Sequence, residues 1–217
     1  MFAFAGHTLR RQGVVVLPDL TLTIGAGEKV ALLGASGAGK STLLEALRRQ
    51  QPTRTAWCPQ QGALVPMLSV FHNIYMGALD RHSACYNLLN LVHPRATELD
   101  AVGKLACELG LADKLRTSVD QLSGGQAQRT ALGRALYSQR DTLLADEPVS
   151  SVDEQQALAL LRLALNRHHT AVVALHDREL ALQCCDRIIG LQHGRIVLDA
   201  PSTALTLGEL DPLYRRG

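Results

Sequence analysis

Leu20, Leu22 and Ile24 alternate with Thr21 and Thr23, the two-residue period of a strand with one face buried and one in water. Just beyond it, Val30 to Leu33 is an uninterrupted apolar run, the pattern of a parallel strand covered on both faces. Gly25 and Gly27 turn the chain between the two. A helix is predicted to start near Gly39 and to carry Leu43, Leu44 and Leu47 on one face. From about Leu68 to Gln139 the strand signal fades, and Leu99, Val102, Ala106 and Leu109 recur at helical spacing before Gly110, a helix stop. Strands resume at Thr142 to Ala145 and at Ala171 to Leu175, separated by a helix over Gln155 to Leu165, which is the alternation of a parallel sheet with crossover helices. Two β-rich runs flank His193-Gly194, a hairpin signal, and "LGELDPLYRRG" ends the chain as a short tail. The pattern predicts one α/β domain over 1–217, with a core of about 1–67 and 140–217 around an inserted helical subdomain of about 68–139.

Composition narrows the functions open to this fold. A chain of 217 residues can bury a full core. Its 22 basic and 20 acidic residues leave a net charge of +2 with no Lys/Arg run, so nucleic-acid binding is not expected. The apolar start "MFAFA" breaks at Gly6, too soon for a signal peptide, and no stretch approaches the ~18 apolar residues of a membrane span. A cytoplasmic protein is expected. Cys58, Cys85, Cys107, Cys184 and Cys185 form no C-x-x-C pair, and their odd number suits reduced, buried thiols.

The chemistry begins at "GASGAGKST". Gly34, Ala35, Ser36, Gly37, Ala38, Gly39, Lys40, Ser41 and Thr42 follow a buried strand and open a helix, the context in which a P-loop pattern carries meaning. Small residues let the loop curl so that backbone N–H groups face a β-phosphate. Lys40 neutralises β/γ oxygens, and the Ser41 hydroxyl takes a place on Mg²⁺. The apolar run Thr142 to Ala145 ends in Asp146, placed to hold Mg²⁺ through water, and Glu147, placed as general base for an attacking water. His176 closes the next parallel strand, at the edge where ligands bind in open α/β sheets, and is read as a γ-phosphate contact. His168, His169 and His193 lack that placement and are read as solvent-facing. Gln60 ends the short strand run "TRTAWCPQ", and its neutral amide is a candidate for Mg²⁺ or water. A second phosphate cradle stands at Ser123, Gly124, Gly125 and Gln126, a hydroxyl and close-approaching backbone at a helix start. It has no lysine, so it reads as half of a clamp on a triphosphate already held by a P-loop. The intervening chain is long enough that spacing leaves open whose P-loop.

Taken in order, the P-loop, Gln60, "LSGGQ" at 122–126, "LLADEP" at 143–148, Asp153 and His176 resemble the motif set of ATP-binding cassette ATPases, over residues ~15–200. That resemblance implies a P-loop NTPase core with a mostly parallel sheet, N-terminal antiparallel strands and an inserted helical subdomain, using ATP and Mg²⁺. It implies a head-to-tail homodimer in which Ser123, Gly124, Gly125, Gln126 and Asp153 of one copy meet the ATP on Lys40 of the other. It further implies a peripheral position on the inner face of the membrane, a permease whose coupling helix enters a groove around Gln60 to Gly77, and an indirect link to a periplasmic solute-binding protein. "LVPMLSV", "LLADEPVSSVD" and "DRIIGLQHGRIVLDAP" are most similar to the ATPase subunits of phosphonate importers, close to those of phosphite importers.

The chain departs from that family pattern in two places. Only 18 residues separate Ser41 from Gln60, so most of the antiparallel strands that relatives insert there should be missing. Leu9, Arg10, Arg11 and Gln12 stand where relatives place a tyrosine to stack on adenine, and an Arg guanidinium is expected to stack instead. A soluble cassette ATPase and a P-loop kinase remain as competing readings. Glu147 beside Asp146, with the Ser-Gly-Gly turn, favours water as the acceptor.

Overall fold

A computed structural model describes residues 1–60 and 64–214. The uninterrupted apolar run forms β3 (Lys29–Leu33), an inner strand of a six-stranded sheet. Its neighbours are β4 (Thr55–Cys58), β5 (Thr142–Asp146), β6 (Thr170–Ala174), β7 (Arg187–Gln192) and β8 (Arg195–Pro201), in the order β4-β5-β6-β3-β7-β8. All pairs are parallel except the β7–β8 hairpin, whose turn residues His193 and Gly194 both have positive φ, as a two-residue hairpin turn requires. Parallel strands end at one edge, so the segments leaving β3, β4, β5 and β6 emerge together there, which brings four distant sequence motifs to one place.

Successive strand residues face opposite layers. Val30, Leu32, Leu144 and Val172 point to the side covered by α1 (Lys40–Gln50) and by the separate antiparallel pair β1 (Phe2–Arg11) and β2 (Val14–Ile24). There Leu43, Leu44 and Leu47 are fully buried against Phe2, Leu22 and Ile24. Ala31, Leu33, Leu143 and Val173 point to the other side, covered by α6 (Glu154–Asn166), α7 (Arg178–Cys184) and the helices between β4 and β5. Of those, α2 (Val70–Tyr75), α4 (Ala96–Glu108) and α5 (Gly124–Tyr137) contribute to that core, whereas α3 (Ala84–Val92) leaves Leu88, Leu89, Leu91 and Val92 exposed. α4 ends at Gly110 with φ +65, and Val102, Ala106 and Leu109 form its buried stripe. α2 runs into a 3₁₀ turn that crosses α5 closely: a Cβ on Gly77 would fall 2.1 Å from the Arg134 carbonyl oxygen.

Several expectations are corrected. The first strand is longer than the Leu20–Ile24 alternation suggested, because β1 pairs with it from Val14 onward. The C-terminal segment, read as a short tail, packs on the core as far as Tyr214, and residues 215–217 lie outside those described. It folds as α8 (Leu207–Leu210) and a 3₁₀ turn that bury Leu210 and Leu213, and a Cβ on Gly190 would lie 2.6 Å from the Leu213 side chain, so a small residue in β7 admits it. Of the thiols, Cys58 and Cys185 are buried but Cys85 and Cys107 are exposed. His168 is buried rather than solvent-facing, with Nδ1 2.7 Å from the Ala164 carbonyl oxygen, and that burial lowers its pKa. The expected loss of strands before Gln60, by contrast, holds: between α1 and β4 only residues 51–54 intervene, with no strand.

Candidate functional site

Glycine is needed at two points of the loop after β3. Gly34 has φ +143, and a Cβ there would lie 2.2 Å from the Leu191 carbonyl oxygen. Gly39 caps α1 in the left-handed region, where a side chain is strained. The loop wraps the Lys40 ammonium, which donates to the Gly34 and Ala35 carbonyl oxygens at 2.6 and 3.1 Å. Burial lowers the Lys40 pKa, while the charges of Glu147 and Asp146 oppose that. An ammonium held on neutral carbonyls at the start of a helix is poised for an anion, which offers both charge and stronger acceptors.

Asp146 is the last residue of β5 and is buried. Burial raises its pKa, and a hydrogen bond from the Ser41 hydroxyl works against that rise. The hydroxyl and carboxylate, both hard oxygen donors in contact, fit Mg²⁺. Glu147 follows with φ 52, a left-handed turn that sends its side chain away from the strand direction. Its N–H donates to the Ala174 carbonyl oxygen at 3.0 Å. Its carboxylate accepts from the Gln60 amide at 3.0 Å and lies 2.5 Å from His176 Nε2. A cleft of about 470 Å³ is lined by Ser36, Gly37, Gly39, Lys40, Ser41, Thr42, Gln60, Glu147 and His176, together with Arg11 and Val16. Four strand ends thus converge on one cavity.

The raised Asp146 pKa carries a stability consequence. A folded-state value above the unfolded one means that the protonated form favours folding. That contribution is present below the ordinary carboxylate range and lost as pH rises through the folded value. At neutral pH the nucleotide-free fold therefore carries the cost of burying this carboxyl. Asp146→Asn is expected to raise its melting temperature near neutral pH, by a margin that shrinks toward pH ~4, while Mg²⁺-dependent hydrolysis disappears. Calorimetry across pH checks the first part; an unchanged or lowered melting temperature at pH ~7 would count against the burial argument.

Ser123, Gly124, Gly125, Gln126 and Asp153 do not line this cleft. Ser123 caps α5 in a capping box, its Oγ accepting from the Gln126 N–H at 3.3 Å while its own N–H donates to the Gln126 side chain at 3.0 Å. Ser123 and Gly124 are exposed. Asp153 caps α6, accepting the Gln156 N–H at 2.9 Å. Gly124 instead borders an adjoining hollow of about 510 Å³, which shares Gln60 and Glu147 with the first.

The structure also separates residues that the sequence left together. Of the four at positions 9–12, only Arg11 lines the cleft, whereas Arg10 donates to the Gly13 carbonyl oxygen across the β1–β2 turn. Two residues were not anticipated. Val16 lines the cleft, and no local signal marks it. Gln128 donates to the Glu147 carbonyl oxygen at 2.6 Å; its only trace in the sequence is a polar residue one turn into α5.

The family model described as ABC transporter matches residues 17–150. The phosphonates import ATP-binding protein PhnC of Pseudomonas entomophila (strain L48) is 38% identical over 236 residues, covering 95% of this chain and 88% of that protein. That match is longer than the whole chain, so some residues of that relative have no counterpart here. The phosphite import ATP-binding protein PxtA of Stutzerimonas stutzeri is 38% identical over 229 residues, covering 93% and 82%. Among solved structures, the dimeric bacterial ABC transporter cassette MJ0796 superposes with a TM-score of 0.78 at 23% identity, covering 93% of this chain and 99% of that one. Its dimeric post-hydrolysis state bound to ADP and Pi gives a TM-score of 0.73, covering 91% and 97%.

Proposed function

We propose that this chain, which belongs to the ABC transporter family and is an ATPase, is the ATP-hydrolysing subunit of an importer for a phosphonate or a related phosphorus oxyanion such as phosphite. The observation that carries the mechanistic reading is a division: the P-loop, Gln60, Glu147 and His176 surround one cleft, while Ser123 and Gly124 lie exposed outside it. Each copy then holds half of a composite site. Two copies paired head to tail sandwich ATP between Lys40 of one and Ser123, Gly124, Gly125, Gln126 and Asp153 of the other. Both solved neighbours described above are dimeric cassettes, which supports the pairing.

In this reading the amides of Gly34 to Thr42 and the Lys40 ammonium bind the β/γ-phosphates. Ser41, Gln60 and Asp146 are the residues that would hold Mg²⁺, Asp146 through water, and the ion would supply positive charge against the phosphates. Glu147 accepts a proton from the attacking water, oriented by its contacts to Gln60 and His176, and His176 holds the γ-phosphate. Contacts made only when the dimer is closed allow ATP binding to drive closure and hydrolysis to release it. Residues of about 68–139 act as the subdomain that carries the Ser123 turn. A permease coupling helix enters the groove around Gln60 to Gly77. Residues 61–63 of that groove lie outside those described, and a hollow of about 450 Å³ bordered by Trp57, Pro59, Met76 and Gly77 supports the assignment. Among the described residues no helix is long and apolar enough to cross a membrane. A site on the cytoplasmic membrane face, beside permease subunits that link it indirectly to a periplasmic solute-binding protein, completes the reading.

Cross-linking tests it. With exposed Cys85 and Cys107 replaced by Ser, a Ser36→Cys copy mixed with a Ser123→Cys copy should cross-link only with nucleotide bound and turnover blocked. No cross-link under those conditions, or equal cross-linking without nucleotide, would count against the sandwich. A second expectation concerns the base. Arg11 offers a flat cation, which stacks on any base, so GTP and ATP should bind comparably and Arg11→Ala should weaken both alike. Strong adenine preference in competition titrations would refute this.

A further inference from the structure

We propose that Gln128 is a positioning residue that ties the Ser123 turn to the backbone of Glu147, so that closure on one nucleotide sets the carboxylate of the other site. The inference rests on the sandwich reading above. The observations are three hydrogen bonds from a single side chain. The Gln128 amide nitrogen donates to the Glu147 carbonyl oxygen at 2.6 Å and to Ser150 Oγ at 2.9 Å, and its oxygen accepts from the Ser151 N–H at 2.8 Å. A primary amide offers two donors and two acceptor sites, so one residue spans the segment from Glu147 to Ser151. A second contact reinforces it: Gly125 packs so closely on that segment that a Cβ would fall 2.6 Å from the Ser151 carbonyl oxygen.

Glu147 is thereby held from two sides, its N–H by Ala174 of β6 and its carbonyl by Gln128 of α5. The grip from β6 belongs to the sheet. The grip from α5 belongs to the helix whose first turn is the exposed Ser123 cradle. A shift of that cradle against the partner's nucleotide is therefore passed directly to the residue that carries this copy's own carboxylate. The left-handed φ of 52 at Glu147 makes its side-chain direction sensitive to such a shift, because small backbone changes there are not absorbed by a broad energy well.

Steady-state ATPase kinetics on the full chain test the tie. Gln128→Leu should lower kcat by about 10- to 100-fold, the scale of a slight misplacement at a reacting centre, leave KM for ATP nearly unchanged, and bring the Hill coefficient toward one. Combined with Glu147→Gln, it should still pair in Mg-ATP, since the clamp residues are intact. Gln128→Glu, nearly isosteric, carries the test should the leucine variant not fold. It keeps the acceptor for Ser151 but cannot donate to Glu147, and should be equally slow. Wild-type kcat and cooperativity in either variant would overturn the proposal. If Glu147→Gln alone fails to pair, the sandwich reading has failed and the cross-site link falls with it.

Discussion

Glu147→Gln is expected to lower ATP hydrolysis by ~10²–10⁴, the usual contribution of a general base, while ATP still binds and the protein accumulates as a nucleotide-bound dimer. The substitution keeps side-chain shape and removes the proton acceptor. The backbone of Glu147 is fixed by Ala174 and Gln128 independently of its side chain, so the turn should survive. The new amide can still accept from Gln60 and face His176, the two partners of the native carboxylate. In the proposed composite site binding rests on the P-loop and on the Ser123 turn, neither of which is touched. Gel filtration with and without Mg-ATP, alongside a phosphate-release assay, checks both halves. A variant that stays monomeric at saturating Mg-ATP would remove the composite site, and one that hydrolyses normally would remove Glu147 as the base.

Lys40→Ala should act at the other end of the cycle, lowering ATP affinity by about 10- to 100-fold, the worth of one or two charge-assisted hydrogen bonds. The fold should not suffer. Burial already disfavours the Lys40 charge, so the substitution removes that cost together with the two hydrogen bonds to the Gly34 and Ala35 carbonyl oxygens. The nucleotide-free melting temperature should therefore stay near that of wild type, and the rise that ATP normally produces should be lost, because ligand stabilisation scales with occupancy of the folded state. Isothermal titration and thermal shift together separate this outcome from unfolding. Retained affinity would mean that the loop amides alone hold the triphosphate.

These two variants divide the cleft by function. In the proposed reading Lys40 and the loop serve binding, and Glu147 serves turnover. Gln60 and His176 both touch the Glu147 carboxylate and are assigned to turnover with it. Their placement follows from strand direction: Gln60 follows β4, Glu147 follows β5 and His176 follows β6, and these strands are adjacent and parallel.

The sequence by itself determined whatever repeats or matches locally. An apolar run between a glycine turn and a glycine-rich loop carrying Lys40 and Ser41 reads as a buried strand feeding a P-loop, and the fall of Leu43, Leu44 and Leu47 on one helical face follows from the 3.6-residue period. Asp146 and Glu147 at a strand end, and a Ser-Gly-Gly turn at a helix start, were legible for the same reason. Only the tertiary structure decided which side chains meet. Gln128 gave no sign of reaching Glu147, since that contact depends on how α5 crosses the end of β5. Arg11 rather than Arg10 borders the cleft because the β1–β2 register sends neighbouring residues to opposite faces. His168 is buried although its lack of a strand-end placement reads as exposure, and the C-terminal segment docks because Gly190 leaves room for Leu213. Each of these depends on packing between segments far apart in the chain, and a local pattern carries no record of the distance or direction from which its partner will come.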